Sequence, residues 1–321
     1  MALVIVGCGW IARRHAAAAR TLRIPVVFAS RDVARARAYA REFGGAAAYG
    51  DYEEALRHPG ARGAIVCTPH DRHLPDVLAA LAAGRHVLVE KPIACTLEEA
   101  DRMIEAAAHA GRVLMVAENF RFMPALRTVR RLIDDGTIGA LRELHLVARG
   151  FRRRSGWRSA AAAGGGALID GGIHYVHALR WWGGEVRRVF ALRPPPTFDM
   201  AGEDAIDVLA ELASGAVGVL ANSLAARGVP RFQWSSVTGS RGTCFVENRG
   251  RVVVVRGELG LRVRLFARDT RGHVAMLKSF DRAMSVGKAD EMDGEAGRRD
   301  LAVVLAAYRS IAERRVVELE C

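Results

Sequence analysis

The first third of the chain alternates short, apolar, β-branched runs with amphipathic stretches of helical period, and this alternation constrains the fold more than any other feature. Strand-like runs fall at residues 3–6, 26–29, 63–67, 86–89 and 113–117. Helical patterns occupy 32–43, 74–83 and 96–110, the last opening with Thr96-Leu-Glu-Glu99, a capping box in which hydroxyl and carboxylate each take one orphan amide. Regular strand and helix alternation predicts a parallel, doubly wound α/β sheet.

Beyond about residue 120 the pattern changes. Helical segments at 124–135 and 167–182 precede strand-like runs from 186 to 266, separated by glycine-containing turns, and a helical stretch at 294–313 closes the series. Such a succession predicts an α+β domain with a large, mostly antiparallel sheet. A length of 321 residues suits roughly two domains of ordinary size.

Composition excludes several function classes. The net charge of +12 comes from scattered arginines, with Arg152-Arg153-Arg154 the densest cluster and no basic stripe on a recognisable nucleic-acid module, so no nucleic-acid partner is expected. No stretch of about 18 apolar residues lacks charges, and the opening residues read as a strand entering a glycine loop rather than a signal peptide, so no membrane partner and a cytoplasmic location are expected. Cys8, Cys67, Cys95, Cys244 and Cys321 are odd in number, widely spaced and without Cys-x-x-Cys, which argues against a disulfide framework and a zinc site.

Gly7-Cys8-Gly9-Trp10-Ile11-Ala12 follows the first strand and opens a helix. Gly7 permits a tight turn, Gly9 lets backbone approach a pyrophosphate, Ala12 allows close helix packing, and the helix amino end offers amide donors to phosphate. A dinucleotide is the ligand this pattern predicts. The second strand ends in Ser30-Arg31-Asp32, where a hydroxyl and a guanidinium suit a 2′-phosphate. NADP(H) is therefore favoured, while Asp32 keeps NAD(H) open; Ser30 or Asp32 can also cap the next helix.

Two further motifs carry chemistry. Glu90-Lys91-Pro92 places a cation at a strand's carboxyl end, where open α/β sheets bind ligands, and proline restricts the lysine backbone. Taken alone, the tripeptide equally fits a surface lysine in a strand-to-helix loop. In Asp170-Gly-Gly-Ile-His174, residues four apart share a helix face, so a carboxylate can support a histidine that exchanges a proton near neutral pH. His174-x-x-His177 resembles a metal pair but has no convincing third ligand, so no metal is expected. Trp181 and Trp182 read as packing residues.

Together these motifs resemble the Gfo/Idh/MocA oxidoreductases. The likeness also rests on Thr68-Pro69 with His73, Gly84 through Pro92, Glu118-Asn-Phe-Arg-Phe-Met-Pro124, residues 132–139, Trp157-Arg158, residues 164–174 and Ala307-Tyr-Arg-Ser310. It implies a Rossmann domain over 1–119 and a substrate-binding and oligomerisation domain over 120–321, with a homo-oligomer, dimer or tetramer, built on the second sheet. It also implies Lys91, Asp170 and His174 as the catalytic set, with Lys91 on the reacting oxygen, His174 exchanging the proton and Asp170 assisting. Cofactor contacts are expected from Gly7, Gly9, Trp10, Ile11, Ser30, Arg31, Thr68, Pro69, His73, Glu90 and Lys91. Substrate contacts are expected from Lys91, Arg121, Trp157, Arg158, Asp170 and His174, and the lysine-proline bond is expected to be cis. His70 and His177 depart from the commonest residues, asparagine and aspartate, at their positions. The implied function is NAD(P)-dependent oxidoreduction between a secondary alcohol and a ketone on a small carbohydrate-like molecule, a sugar, polyol or derivative. An NAD-dependent glycosidase using transient oxidation and elimination, or a non-catalytic dinucleotide sensor, are the alternatives, since fold alone does not settle function.

Overall fold

Ala2–Val6 is buried at every position and forms the central strand β1. The protein is described here from a computed structural model covering residues 1–227, 233–258 and 260–319. After β1 come α1 (Trp10–Leu22), β2 (Val26–Ala29), α2 (Val33–Phe43), β3 (Ala47–Tyr49), α3 (Tyr52–Leu56), β4 (Ala61–Val66), α4 (His73–Ala82), β5 (His86–Val89), α5 (Leu97–Ala110) and β6 (Leu114–Val116). The six strands pair in parallel in the order β3-β2-β1-β4-β5-β6. Strands covered on both faces need continuous apolar runs, which is why β1, β2 and β5 show no polar alternation. The order reverses between β1 and β4, which places the ligand crevice outside their carboxyl ends. Both bonds of the Thr96–Glu99 capping box are present at α5. The short elements β3 and α3 had no strong periodic signal; Asp51 starts α3 by accepting from Glu54 N at 2.8 Å.

The chain continues through α6 (Pro124–Asp134), β7 (Leu141–Arg149), α7 (Ile173–Gly183), β8 (Val186–Leu192), β9 (Ala205–Leu212), β10 (Val217–Ser223), β11 (Trp234–Gly239), β12 (Gly242–Glu247), β13 (Val252–Gly257) and β14 (Gly260–Leu265). It ends with α8 (His273–Val286), α9 (Gly294–Glu313) and β15 (Val317–Glu318). A nine-stranded sheet runs β14-β13-β12-β11-β7-β10-β9-β8-β15. Only the β7/β10 pair is parallel among its described pairings. Strand β7 was not foreseen, because Arg142 and Glu143 stand side by side and break its alternation. One sheet face is packed, with Ile206, Val208, Ala210 and Leu212 of β9 buried, and α7 covers β7 and β10. The opposite face leaves Leu209, Val217 and Phe245 exposed.

The chain divides into two compact units, Met1–Glu118 with His273–Arg298, and Asn119–Gly272 with Arg299–Cys321. In the first, α8 packs on α1, and Val116 N donates to Met292 O at 2.7 Å beside the β6 edge. Cys8, Cys67 and Cys244 are buried and Cys95 is half-buried, all as free thiols. Burial pushes Cys8 and Cys95 up to about 12 and Cys244 to about 11, so these thiols stay protonated at neutral pH. Cys321 lies outside the described residues. No helix among the described residues is long and apolar enough to cross a membrane.

Candidate active site

In the first unit, the glycine loop leaves β1 through Gly7, whose φ of +93° is a conformation side chains disfavour. A Cβ there would also meet the Cys67 carbonyl and Thr68 Cγ2 at 3.1 Å, so the turn tolerates only glycine without displacement. Gly9 is the N-cap of α1, and a Cβ built on it meets nothing within 4 Å. The space on its side-chain face is therefore open beside a helix amino end, while its carbonyl accepts from the Tyr39 hydroxyl at 3.0 Å. Trp10, 63% exposed, and half-buried Ile11 begin that helix. Alanines at 12, 16 and 19 of α1 are fully buried, which brings the helix close to the sheet.

At the end of β2, buried Ser30 accepts from Asp32 N at 3.3 Å. The Asp32 carboxylate caps α2, accepting from Ala34 N at 3.0 Å and Arg35 N at 3.3 Å. Exposed Arg31 lines a cavity of about 490 Å³ with Tyr52, Thr68, Pro69, Arg72 and Asp76. Asp76 is largely buried, and desolvation raises its pKa against the opposing influence of Thr68 and Arg72. The open face of Gly9, the amino end of α1 without a side-chain cap and this cavity fit the pyrophosphate and adenosine halves of a dinucleotide.

His73, one of the expected cofactor contacts, stands at the start of α4. It is fully buried, with Nδ1 2.9 Å from Pro92 O and Nε2 3.1 Å from Thr68 O, so it ties the loop after β4 to the loop after β5. Burial lowers its pKa in spite of those carbonyls. Glu90 is also buried, and its Oε1 lies 2.7 Å from His15 Nε2. Burial alone would raise Glu90, but His15, Lys91 and His273 outweigh it and hold the carboxyl at about 2. Lys91 is half-buried at the end of β5, and the Lys91–Pro92 bond is cis.

In the second unit, Asp170 lies in a π-helical turn, Leu168–Gly172, that runs into α7. The sequence pattern predicted one continuous α-helix there. Gly166, at φ +150°, lies so close to Glu203 that a Cβ would overlap the carboxylate. Glu203 Oε1 accepts from Leu168 N at 2.7 Å and from the Tyr308 hydroxyl at 2.8 Å, while Tyr308 accepts from Ile169 N at 3.2 Å. Burial raises the pKa of Glu203 and, with Glu203 beside it, of Tyr308. These contacts satisfy amides that the wider turn leaves available.

The Asp170 side chain is 8% exposed and its Oδ2 lies 2.9 Å from Arg154 and 3.6 Å from Arg158. The Arg158 guanidinium stacks on Trp157 at 4.2 Å. His174 follows at the start of α7, stacked on Phe120 at 4.7 Å and 12° between planes. Arg121 lies over Trp181 at 4.4 Å, and Trp181 stacks on His177. Buried His177 meets Asp300 at 2.9 Å, and Asp300 also binds Arg180. The structure thus joins Asp170, Arg158 and Trp157 directly, puts His174 on the same helical stretch, and turns Arg121 onto an aromatic face.

Residues 1–118 match the Gfo/Idh/MocA family model described as an oxidoreductase family with an NAD-binding Rossmann fold, and 126–245 match the Gfo/Idh/MocA C-terminal domain. Myo-inositol 2-dehydrogenase of Thermotoga maritima is 30% identical over 334 residues, covering 100% of this chain and 99% of its own. The chain belongs to the Gfo/Idh/MocA family of oxidoreductases. By class it is an NAD(P)-dependent dehydrogenase or reductase. Among solved Gfo/Idh/MocA-like structures, a probable dehydrogenase from Thermotoga maritima has a TM-score of 0.85 at 29% identity, covering 99% of each chain. Levoglucosan dehydrogenase in complex with NADH has a TM-score of 0.91 over 100% of this chain and 99% of that one; at 21% identity this likeness bears on fold alone.

Several residues of the site carried no sequence signal. Arg154 was visible only as part of a basic cluster, and nothing in its spacing points to Asp170. Glu203 and Asp300 come from distant segments, and Phe120 stood in the Glu118–Pro124 motif without an assigned task. Tyr308 stood in a motif without an assigned task.

Proposed function

We propose that this Gfo/Idh/MocA enzyme interconverts a secondary alcohol and a ketone on a sugar, polyol or sugar derivative by hydride transfer. The observation that carries the reading is the placement of Asp170 and His174 on one helical stretch, with Arg154 and Arg158 beside the carboxylate and Phe120 stacked on the imidazole. A polyol satisfies such donors, whereas an aliphatic ketone leaves them unpaired at about 1–3 kcal/mol for each buried group. The full-length likeness to a protein named myo-inositol 2-dehydrogenase supports the same substrate class.

The dinucleotide, when bound, supplies hydride exchange at the substrate carbon. Gly7, Gly9, Trp10 and Ile11 hold its phosphates, and Ser30, Arg31, Thr68 and Pro69 hold the adenosine side. His73 acts through the loops it ties together, and Glu90 by fixing the start of the loop that carries Lys91. Lys91 donates to the oxygen on the reacting carbon and stabilises charge as its proton leaves. His174 accepts that proton in oxidation and returns it in reduction, with Phe120 fixing the imidazole plane. Asp170 supports His174, and Arg121, Trp157 and Arg158 contact the substrate.

NADP(H) is the proposed preference, because Arg31 faces the cavity while the Asp32 carboxylate is engaged in capping α2. The exposed apolar residues on the second sheet support a homodimer or homotetramer. Free buried thiols accord with a cytoplasmic enzyme.

The test is a panel of sugars, inositols, nucleotide sugars and simple ketones with each cofactor, followed at 340 nm. Turnover of a polyol or sugar derivative above every unsubstituted ketone is expected. Equal or better use of simple ketones sinks the substrate class, and release of a glycosidic substituent without net cofactor change would point to the glycosidase chemistry instead.

A further inference from the structure

We propose that the substrate carries an oxyanion, a carboxylate or a phosphate monoester, which is bound by the guanidinium groups of Arg154 and Arg158 beside Asp170. This deepens the reading above and rests on it, since it takes Asp170 and His174 as the substrate site.

The argument begins with an imbalance of charge. A single buried carboxylate needs one guanidinium, and Arg154 at 2.9 Å supplies it. Arg158 is 3.6 Å from the same oxygen, longer than a direct hydrogen bond, and stacking on Trp157 holds its plane. Its side chain is 34% exposed, so its remaining donors are accessible. Arg154 is more enclosed, at 19%, and its Nε is buried without a hydrogen-bond partner. Arg152 adds a third positive charge that acts on Arg154 alongside Arg158, against the one negative charge of Asp170.

The carboxylate of Glu203, which abuts Gly166 at the start of this stretch, does not correct the surplus. Glu203 is engaged with Leu168 N and the Tyr308 hydroxyl, and burial favours its neutral form. An unfilled guanidinium fork in a partly desolvated setting costs stability unless a ligand completes it. Planar, bidentate guanidinium donors match carboxylate and phosphate oxygens better than they match neutral hydroxyls. A role confined to holding Asp170 would need Arg154 alone, and would leave the ordered, stacked placement of Arg158 without a task.

The full-length enzyme, saturated with cofactor, is offered matched pairs: glucose with glucuronate, galactose with galacturonate, and myo-inositol with quinate. Myo-inositol 1-phosphate and glucose 6-phosphate form the phosphate arm and show which oxyanion is preferred. Turnover is read at 340 nm and binding by calorimetry. In at least one pair the anionic member is expected to exceed the neutral one by about 10- to 100-fold in kcat/KM or in affinity, the scale of one or two charge-assisted hydrogen bonds. Raised salt should narrow the gap. Arg158→Gln, which leaves the shorter Arg154–Asp170 pair in place, should cut the anionic-to-neutral ratio about tenfold, mainly through KM. Arg154→Lys, which retains charge for Asp170, should cut it less.

The inference is overturned if the neutral member equals or exceeds its partner in every pair, if both variants leave the ratio unchanged, or if no anionic member is bound or turned over. Oxidation of neutral polyols without preference removes the anion site and leaves the oxidoreductase reading intact. Binding of acids that are never turned over, with the ratio lost in Arg158→Gln, retains the anion site and removes the reading.

Discussion

Asp300 Oδ2 lies 2.9 Å from His177 Nδ1, joining α9 to α7 across 123 residues of sequence. Arg180 binds the other oxygen of the same carboxylate and pairs in turn with Glu185 at 2.8 Å. Burial on its own would raise Asp300, but His177 and Arg180 outweigh it and lower its pKa. Asp300→Asn leaves a buried guanidinium short of one counter-charge. Its expected cost is about 3–5 kcal/mol, measured as a shift of the urea midpoint at neutral pH. An unshifted midpoint would show that the network is no firmer than a surface pair.

Glu90 gives a pH prediction in the first unit. Its folded pKa of about 2 lies below the usual 4.5, so the carboxylate contributes stability that is fully present above 4.5. That contribution declines as the pH falls through this window and is gone below about 2. Glu90→Gln should remove this part of the acid sensitivity while lowering stability near neutrality. Urea midpoints at about pH 6 and about pH 3 check it, since proton linkage predicts a smaller difference between them for the variant. An equal acid loss in both proteins would move the sensitivity elsewhere.

The parallel sheet was legible because strands such as β1 and β2 are continuous apolar runs, and α2, α5 and β5 stand where periodicity and capping residues put them. Asp32 is a case where two roles shared one residue, and the structure shows the capping role. Local pattern reported less of the second unit. Strand β7 is broken by adjacent charges, and the π-helical turn at Asp170 has the same glycine and apolar content as a helix start. Its width is set by Glu203 and Tyr308, which reach it from 35 and 139 residues away in sequence. The return of His273–Arg298 to the first unit is likewise a property of tertiary packing that no window of sequence contains.

The proposed cofactor preference rests on Arg31. Arg31→Ala removes a cation lining the cavity at the end of β2, and should lower kcat/KM with NADP(H) about tenfold or more relative to NAD(H). Steady-state kinetics with both cofactors decide it. Equal or better use of NAD(H) by the unaltered enzyme removes the preference, and an unchanged ratio in the variant removes Arg31 from it.

The catalytic set makes the sharpest demand. Lys91→Met and His174→Ala should each lose about 10²-fold or more in turnover, the scale of positioned acid-base groups, while cofactor affinity is kept. The reason for the separation is spatial. The proposed pyrophosphate contacts are those of the Gly7–Gly9 loop, whereas Lys91 stands after β5 and His174 at the start of α7. Asp170→Asn is expected to lose less, since its proposed part is to support His174. Dinucleotide binding is read by fluorescence titration and turnover at 340 nm. Near-normal turnover in Lys91→Met would mean that the strand-end lysine has been misassigned. Loss of dinucleotide binding in His174→Ala would make that histidine a structural residue, with its stacking on Phe120 as the feature it serves.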